Sequence, residues 1–207
     1  MYGCLNSLLA LIGIVILSPL FITITALLKV RYGSPIFFVQ SRVGRDGVLF
    51  QIIKFRTMLE GSDADSISVG GQSRITSLGE TLRRYKLDEL PELVNVIRGE
   101  MNFVGPRPDV PGYADELSGE DRSILSIRPG ITGPASLKYR NEEYLLAKVE
   151  SPKKYNDQVI YPDKLRINQE YVLRRTITLD LRIIFATIFG YDLNLRWIQD
   201  AGGKNAD

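Results

Sequence analysis

The chain has 207 residues, of which 44% are hydrophobic and 24% are charged, which is typical of one globular domain. Its 26 basic and 24 acidic residues give a formal net charge of +2, too balanced for a protein built mainly to coat nucleic acid. Histidine is absent and Cys4 is the single cysteine, so disulfide frameworks, Cys/His zinc sites and histidine-based catalysis are excluded. Any chemistry must therefore use carboxylates, Lys, Arg, Tyr, Ser or Thr.

The first thirty residues have the composition of a membrane segment. No charged residue precedes Lys29, and residues 5–28 are almost wholly apolar. As a straight helix this segment would cover roughly 36 Å, against about 30 Å for the hydrocarbon core of a bilayer. A signal peptide would begin with charged residues and end at a small-residue cleavage site, and neither is present. We therefore predict that residues 5–28 insert into a membrane.

Pro19 leaves two topologies open for this segment. A proline inside a helix removes a backbone hydrogen bond, so a kink is expected. Residues 5–18 and 19–28 would reach only about 21 Å and about 15 Å as separate helices, too short to cross a bilayer. The segment is either a tilted spanning helix or two short arms that enter and return, and the residues alone favour the span. Lys29 and Arg31 place the C-terminal flank in the cytoplasm in both cases.

The next segment predicts a β-hairpin. Residues 36–40 and 48–57 are rich in β-branched and aromatic residues, and Gly44, Asp46 and Gly47 between them favour a turn. The polar residues 60–73 are predicted to form a mobile loop. The remaining chain is predicted to be mainly helical, over residues 118–127, 141–149, 165–175 and 178–189. We expect Thr178 to cap the last of these helices, and its apolar composition indicates that it lies on the bilayer surface.

Asp88 and Glu89 are adjacent acids at the start of another predicted helix, where Pro91 is tolerated in the first turn. Its apolar stripe consists of Leu87, Leu90, Leu93, Val94 and Ile97, and the acids Asp88, Glu89 and Glu92 fall outside it. A structural interpretation makes Asp88 an N-cap and Glu89 a first-turn acid that interacts with the helix dipole.

Basic residues near this pair favour a chemical interpretation as well. They are Arg83, Arg84 and Lys86 just upstream, and Lys54 and Arg56 farther away in the chain. In a metal-assisted reaction on a phosphate, carboxylates hold the metal ion and basic groups neutralise the phosphoryl oxygens. We also expect the field of Arg83 and Lys86 to keep Asp88 ionised.

Two proline-containing loops each restrict an arginine. One is Gly105-Pro-Arg-Pro108 and the other is Arg128-Pro-Gly-Ile-Thr-Gly133. Prolines on both sides of Arg107 limit the backbone to extended shapes, so this cation can be held at a low cost in entropy. Taken separately, such a loop is more often a simple connector than a site.

These residues together resemble the monotopic phosphoglycosyl transferases, the bacterial sugar transferases that load a phosphosugar from a nucleotide diphosphate sugar onto polyprenol phosphate. The resemblance covers residues 5–189, and the minimal single-domain members are the closest in size. The motifs that carry it are Ser18-Pro19, Arg42-Val-Gly44, Lys54-Phe-Arg-Thr-Met58, Leu87-Asp-Glu-Leu-Pro91, Asn95-Val-Ile-Arg-Gly-Glu-Met101, Phe103-Val-Gly-Pro-Arg-Pro108, Arg128-Pro-Gly-Ile-Thr-Gly133 and Leu179-Asp-Leu181.

The resemblance implies a covalent mechanism in which Asp88 attacks the sugar-bearing β-phosphorus of a UDP-sugar. Undecaprenyl phosphate then attacks the resulting aspartyl phosphosugar. Glu89 matches the second member of the catalytic dyad, for which binding of Mg²⁺ together with Asp88, or assistance to the incoming phosphate, is implied. The expected phosphate or substrate contacts are Lys54, Arg83, Arg107, Arg128 and Arg140.

The same resemblance implies a particular fold and membrane topology. Ser18 and Pro19 would mark a re-entrant helix-break-helix, which reverses the preference for a span. We therefore predict an α+β, mainly helical fold with a re-entrant membrane helix at 1–30, a cytoplasmic catalytic domain with a β-hairpin and membrane-surface helices at 31–190, and a C-terminal tail at 191–207. The expected location is the cytoplasmic face of the bacterial inner membrane. The sequence leaves open whether the chain forms a homodimer.

Several positions depart from the family pattern. Gly3, Cys4 and Asn6 stand where basic residues and an aspartate are usual, and Asn168 stands where an aspartate is expected twelve residues before Asp180. Residues 138–150 also differ, so the sugar is not specified. One rival interpretation is a non-catalytic membrane-bound module that binds a nucleotide sugar or a lipid phosphate. A second, a polytopic transferase without a covalent step, would need many spanning segments where this chain offers one.

Overall fold

The computed structural model describes residues 2–59 and 75–199, so the loop predicted at 60–73 lies outside the described residues. The fold is α+β and mainly helical, as predicted, with a long apolar helix at its N-terminal end. The helices are α1 (Tyr2–Tyr32), α2 (Ser77–Arg84), α3 (Glu92–Ile97), α4 (Pro134–Lys138), α5 (Glu142–Leu146), α6 (Pro152–Tyr155), α7 (Tyr161–Arg174), α8 (Ile177–Phe189) and α9 (Arg196–Gln199). The strands are β1 (Phe37–Val43), β2 (Leu49–Phe55), β3 (Asn102–Val104) and β4 (Gly130–Thr132).

Helix α1 continues through Pro19, so the predicted break in the helix is wrong at the level of secondary structure. Proline has no N–H to donate, and the carbonyl that loses its partner in an α-helix is that of the residue four positions earlier, Val15. Ser18 Oγ donates a hydrogen bond to Val15 O at 2.8 Å, replacing the missing donor. The serine before the proline therefore stabilises a continuous helix.

The two ends of α1 both contact the rest of the protein. Near the N-terminal end, Asn6 Nδ2 donates to Asn102 Oδ1 at 2.8 Å, and Ser7 Oγ donates to Val96 O at 3.1 Å. At the C-terminal end, the carbonyl of Tyr32 accepts a hydrogen bond from Arg56 Nη2 at 2.8 Å. The helix is thus fixed to the domain by polar contacts at both of its ends.

Between these ends, one face of α1 packs against the domain and the opposite face is exposed. Ala10 packs with α3 and β2, and Ile24 and Leu28 pack with Phe55 and Leu82. The exposed face of α1 includes Leu5, Leu8, Leu9, Leu11, Ile12, Val15, Ile16, Ile22, Leu27 and Val30. By length and composition α1 is long enough to cross a membrane, and this apolar face indicates membrane association.

The predicted β-hairpin is confirmed. Strands β1 and β2 pair antiparallel, with Phe37 opposite Phe55 and Val43 opposite Leu49. The turn between them is a short 3₁₀ segment in which Asp46 and Gly47 have positive φ angles of 58° and 85°. The hairpin packs on α3 and supplies Lys54 to the interior of the domain.

The structure also contains a parallel pair of strands that the sequence analysis does not predict. Strands β3 and β4 pair in parallel; Gly105-Pro-Arg-Pro108 follows β3 directly, and β4 lies within the segment Arg128–Gly133. Glycine is required where the loops meet, because a Cβ on Gly130 would lie 2.1 Å from Gly105 N. Gly105 N also donates to Thr132 O at 2.9 Å. This pairing fixes the position of Arg107.

The C-terminal half packs around α7, α8 and α9, with boundaries that differ from those predicted. Residues 118–127 contain a 3₁₀ segment, Gly119–Ser126, where an ordinary helix was expected. Helix α8 is capped by Thr176, whose side chain accepts from Leu179 N at 3.1 Å, where Thr178 was expected. Within the segment predicted as a tail, Leu193 and Ile198 are buried in the core.

Helix α8 has a buried and an exposed apolar side. Ile183 and Ala186 are fully buried, whereas Phe185, Ile188 and Phe189 are at least half exposed. An exposed apolar face of this kind is compatible with the predicted contact to a bilayer surface, which stays a prediction.

The departure at Asn168 lies inside this half of the protein. Asn168 on α7 is buried, and its Oδ1 has no hydrogen-bond partner among the described residues. One turn later, the hydroxyl of Tyr171 donates to Asp180 Oδ1 at 2.6 Å. Asp180, the acid of the Leu179-Asp-Leu181 motif, therefore joins α8 to α7.

Candidate active site

The adjacent acids lie in a short turn ahead of the helix that was predicted to contain them. Asp88 and Glu89 belong to a 3₁₀ turn, Leu87–Glu89, which follows Lys86 in a left-handed conformation (φ 56°). Helix α3 begins only at Glu92, with Pro91 at its N-cap position. Asp88 is therefore not the N-cap of this helix, and the structural interpretation of that residue is wrong.

Both acids are buried, although the sequence pattern placed them outside the apolar stripe. Asp88 is 9% exposed and Glu89 is 7% exposed. The fully buried face of α3 contains Leu93 and Val96 together with the polar residues Glu92 and Asn95. A buried carboxylate requires a compensating charge or hydrogen bonds, so the surroundings of each acid are informative.

Two cations from different parts of the chain converge on one oxygen of Glu89. Lys54 Nζ from β2 and Arg107 Nη2 from the loop after β3 each lie 2.9 Å from Glu89 Oε1. Burial would raise the pKa of Glu89, but Arg107 and Lys54 outweigh it and hold the pKa well below its usual range. Glu89 is therefore ionised at neutral pH.

Asp88 has a different environment. Its Oδ1 is buried and has no hydrogen-bond partner within residues 2–59 and 75–199. Burial and the negative charge of Glu89 raise the pKa of Asp88, and Lys54, Lys86 and Arg83 offset this only in part. The basic residues thus lower the pKa of Asp88, as expected, but they do not outweigh burial and Glu89. A raised pKa makes the ionised carboxylate more basic than an ordinary aspartate.

A third acid, Glu92, joins the site and was not among the predicted site residues. It is 2% exposed, and Lys54 Nζ lies 3.0 Å from its Oε1. Burial raises the pKa of Glu92 to about 7, and Glu89 adds to this effect while Lys54 opposes it. The spacing of Glu92, four residues after Asp88 and three after Glu89, was the available signal, because such residues lie close together on a helix face.

A buried asparagine links α3 to the hairpin and so fixes the distance between Lys54 and the acids. Asn95 Nδ2 donates to Gln51 O at 2.7 Å and to Glu100 Oε2 at 2.7 Å, while Asn95 Oδ1 accepts from Ile53 N at 3.2 Å. These contacts join one edge of β2, next to Lys54, to α3. The Asn95 motif therefore has a structural role in the site.

Arg42 from β1 is a further cation beside these groups. Its Nη1 donates to Pro108 O at 3.2 Å and its Nη2 to Gln40 Oε1 at 2.6 Å. It lines a small crevice with Ile52, Lys54, Glu92, Arg107, Pro108 and Gly130. The sequence motif contained Arg42, but only the structure places it next to the loop that carries Arg107.

The other predicted contact residues are distributed over the protein. Arg83 Nε donates to Thr57 Oγ1 at 3.1 Å, and Arg83 is close enough to affect the pKa of Asp88. Arg128 lies at the opposite end of α3 from the acid pair, where its guanidinium packs against Gly3 and Gly99. Their roles as substrate contacts stay predictions.

Arg140 has a structural position at the C-terminal end of α8. Its guanidinium donates to Gly190 O at 2.7 Å and to Tyr191 O at 2.9 Å, and it lies 3.1 Å from Asp192 Oδ1. A cation at this end of a helix satisfies free carbonyl groups and interacts favourably with the helix dipole. The structure does not bring Arg140 into contact with the acid pair.

The site can supply two carboxylates to a metal ion. The unpartnered Asp88 Oδ1 is available as a ligand, and Glu89 lies beside it. Within the parts of the chain that the structure describes, no group of three or more Asp, Glu, Cys or His side chains is placed to hold a metal. Mg²⁺ is commonly held by one or two carboxylates, water and substrate phosphates, so these residues fit that ion.

These features define a class of protein: a membrane-associated α+β protein whose buried acid pair is surrounded by fixed cations, as a site for an anionic substrate requires. Residues 2–191 match the family model of the bacterial sugar transferases, and the chain belongs to this family. The predicted family resemblance is thereby confirmed, together with the prediction of an enzyme that is a transferase.

Curated relatives extend this comparison. The exopolysaccharide production protein ExoY of Sinorhizobium fredii is 32% identical over 198 residues, which cover 87% of this chain and 80% of the relative. The UDP-glucose:undecaprenyl-phosphate glucose-1-phosphate transferase of Escherichia coli is 30% identical over 187 residues, or 87% of this chain and 38% of the relative. A UDP-N-acetylgalactosamine-undecaprenyl-phosphate N-acetylgalactosaminephosphotransferase of Aeromonas hydrophila is 34% identical over 138 residues, or 64% and 33% of the two chains.

Proposed function

We propose that this protein transfers a sugar 1-phosphate from a UDP-sugar to undecaprenyl phosphate through a covalent intermediate on Asp88, as the first membrane step of bacterial glycoconjugate assembly. Relatives named for this type of reaction support the two substrates. Because those relatives are named for two different sugars, the proposal specifies the nucleotide and the lipid and leaves the sugar open.

The observation that carries the proposal is the contrast between the two adjacent acids. Glu89 is held by Lys54 and Arg107, whereas Asp88 Oδ1 is buried without a partner among the described residues. A carboxylate group with a raised pKa and few competing contacts, beside cations that can bind a diphosphate, is suited to act as a nucleophile. A module that only binds anions gains nothing from an unpaired buried carboxylate.

In the first half of the reaction, a carboxylate oxygen of Asp88 attacks the β-phosphorus of the donor. The bond from this phosphorus to the bridging oxygen breaks, and UMP leaves with the electron pair. Lys54 and Arg107 neutralise charge on the phosphoryl oxygens as it develops. The product bound to the protein is a phosphosugar joined to the Asp88 carboxylate.

In the second half, a phosphate oxygen of undecaprenyl phosphate attacks the same phosphorus. The bond between phosphorus and the Asp88 carboxylate oxygen breaks, which regenerates the carboxylate and releases an undecaprenyl diphosphate sugar. Glu89 either assists this incoming phosphate or takes part in holding Mg²⁺. Bound Mg²⁺, held by Asp88 and Glu89, would supply additional positive charge against the donor phosphates.

The covalent step makes a direct prediction about partial reactions. We expect the purified protein, supplied with Mg²⁺ and a suitable UDP-sugar but no undecaprenyl phosphate, to release about one UMP per active site in a rapid burst. The measurement is quantification of UMP against time, with UDP-glucose and UDP-N-acetylgalactosamine as the first donors. Release of UMP only when undecaprenyl phosphate is present would contradict the covalent mechanism, and absence of any turnover would favour a binding module.

We further propose that both ends of α1 lie on the cytoplasmic face of the bacterial inner membrane, with the exposed apolar face of the helix in one leaflet. The same domain contacts α1 through Asn102 near one end and Arg56 at the other. A helix that crossed the hydrocarbon core would carry one of these polar contacts to the far side of the bilayer, together with the charged segment that makes it. Contacts at both ends therefore support a monotopic arrangement.

Cys4 provides the test of this topology, because it is the single cysteine of the chain and is exposed. In intact cells we expect a membrane-impermeant maleimide to leave Cys4 unmodified, and in permeabilised cells to label it. A Cys4→Ser/Val48→Cys variant, with its cysteine at the hairpin turn, is the matched cytoplasmic control. Labelling of Cys4 but not of residue 48 in intact cells would show that α1 spans the membrane.

A further inference from the structure

Glu92 is the most deeply buried acid of the site, and the reaction proposed above gives it no role. It is 2% exposed, compared with 9% for Asp88 and 7% for Glu89. A side chain this enclosed has almost no surface with which to touch a substrate. Any effect of Glu92 on the reaction must therefore pass through a neighbouring group.

The neighbouring group is Lys54, whose ammonium lies between two carboxylates. Lys54 Nζ is 2.9 Å from Glu89 Oε1 and 3.0 Å from Glu92 Oε1. The charged groups that face Glu92 are Lys54 from β2, Arg42 from β1, Arg107 from the loop after β3, and Glu89 from the preceding turn. Among the described residues, Lys54 is the one cation at ion-pair distance from Glu92.

A lysine needs such support to act as a fixed cation. Its flexible four-carbon side chain loses rotamer entropy when it is held in place, and its ammonium is a point charge with no preferred orientation. Glu89 alone cannot fix it, because the same Oε1 atom also binds Arg107. The buried Oε1 of Glu92 lies 3.0 Å from Nζ as a second ion-pair partner, although it forms no hydrogen bond among the described residues.

We propose that Glu92 is a positioning residue that holds the Lys54 ammonium in place for the donor diphosphate. This inference rests on the proposed function, because it concerns the cation that meets the donor. The polar oxygen of Glu92 beside Nζ provides the benefit, because it attracts the ammonium even when the carboxyl group is neutral, whereas the full negative charge opposes an incoming diphosphate. The raised pKa of Glu92 agrees with this division, because it shows that the surroundings disfavour the charge.

Two substitutions separate the oxygen from the charge. Glu92→Gln keeps a polar oxygen beside Lys54 and removes the charge, so we expect its affinity for UDP to equal or exceed that of the wild type. Glu92→Leu has a similar size and no polar oxygen beside Lys54, so we expect the affinity for UDP and kcat/KM each to fall by about 10-fold. Glu80→Leu on the exposed surface of α2 is the matched control and should behave as the wild type.

Coupling to Lys54 distinguishes positioning from a general structural effect. If Glu92 acts through Lys54, then Glu92→Leu should lower the affinity for UDP and kcat/KM much less in a Lys54→Met background than in the wild type. The measurements are UDP binding by isothermal titration calorimetry, donor KM and kcat, and the thermal unfolding midpoint of each variant in detergent.

The outcomes are distinct. The inference is overturned if Glu92→Leu binds UDP as the wild type does, if Glu92→Gln is as impaired as Glu92→Leu, or if the losses in the double variant simply add. If Glu92→Leu fails to fold, the affinity of Glu92→Gln for UDP still tests the inference. It must equal or exceed that of the wild type, and a fall toward the affinity of the Lys54→Met variant would overturn the inference. Wild-type protein that neither binds UDP nor turns over would instead reject the proposed function itself.

Discussion

Replacement of Asp88 by Asn is expected to abolish turnover, with a loss of roughly 10³-fold or more, as is usual when a covalent nucleophile is removed. An amide group cannot form the bond to the phosphosugar, but its size and shape match those of the carboxylate that it replaces. Since Asp88 Oδ1 has no hydrogen-bond partner among the described residues, the exchange breaks no described contact of that atom. The burst of UMP should disappear while binding of UDP persists.

Mass spectrometry measures the intermediate directly. Wild-type protein incubated with a suitable UDP-sugar should gain the mass of one phosphosugar, on a peptide that contains residues 87–89. Because burial and Glu89 raise the pKa of Asp88, its charge is unfavourable in the fold, and Asp88→Asn should unfold no earlier than the wild type at neutral pH. Asp46→Asn, the same exchange at the exposed hairpin turn, is the control. Substantial turnover by Asp88→Asn, or an adduct elsewhere, would exclude Asp88 as the nucleophile.

Removal of divalent metal is expected to reduce activity by about 100-fold or more, the size of effect found when a group that stabilises transition-state charge is lost. Asp88 and Glu89 carry the same sign of charge as the donor diphosphate, and the cations at ion-pair distance from Glu89, Lys54 and Arg107, are already paired with it. Without a further cation, the carboxylates repel the phosphates that they must approach.

The measurement is the initial rate after treatment with EDTA and again after addition of Mg²⁺. A parallel sample treated with EDTA already saturated with Mg²⁺ controls for effects of the chelator. We expect Mg²⁺ to restore the rate, and the affinity for UDP to increase with Mg²⁺ in the wild type. Undiminished activity in protein that retains no metal by elemental analysis would remove Mg²⁺ from the mechanism.

Sequence patterns were sufficient where the deciding forces act between neighbours in the chain. The apolar run of residues 5–28, the hairpin and its glycine turn, and the mainly helical C-terminal half all depend on local composition and periodicity. The adjacent acids and the ordered basic motifs also indicated a phosphate chemistry. The family resemblance of those motifs is confirmed over residues 2–191.

Predictions of where helices begin and end were wrong where one side chain formed an unexpected hydrogen bond with the backbone. Pro19 was expected to interrupt α1, but the hydroxyl of Ser18 satisfies the carbonyl that the proline leaves free. Thr176 caps α8 two residues before the cap that was expected. In both cases, the identity of one hydrogen-bond donor or acceptor decides between conformations of similar energy.

The identity of the acids and cations, and the membrane character of α1, were determined by the sequence itself. The arrangement of the site was decided only by the tertiary structure, because Lys54 and Glu89 are 35 residues apart and meet when the hairpin packs on α3. Polar residues outside an apolar stripe are normally solvated. The burial of Asp88, Glu89 and Glu92 is compensated only when cations from distant parts of the chain lie beside them. No pattern in one segment contains that information, since the energy of a buried charge depends on its partner in space.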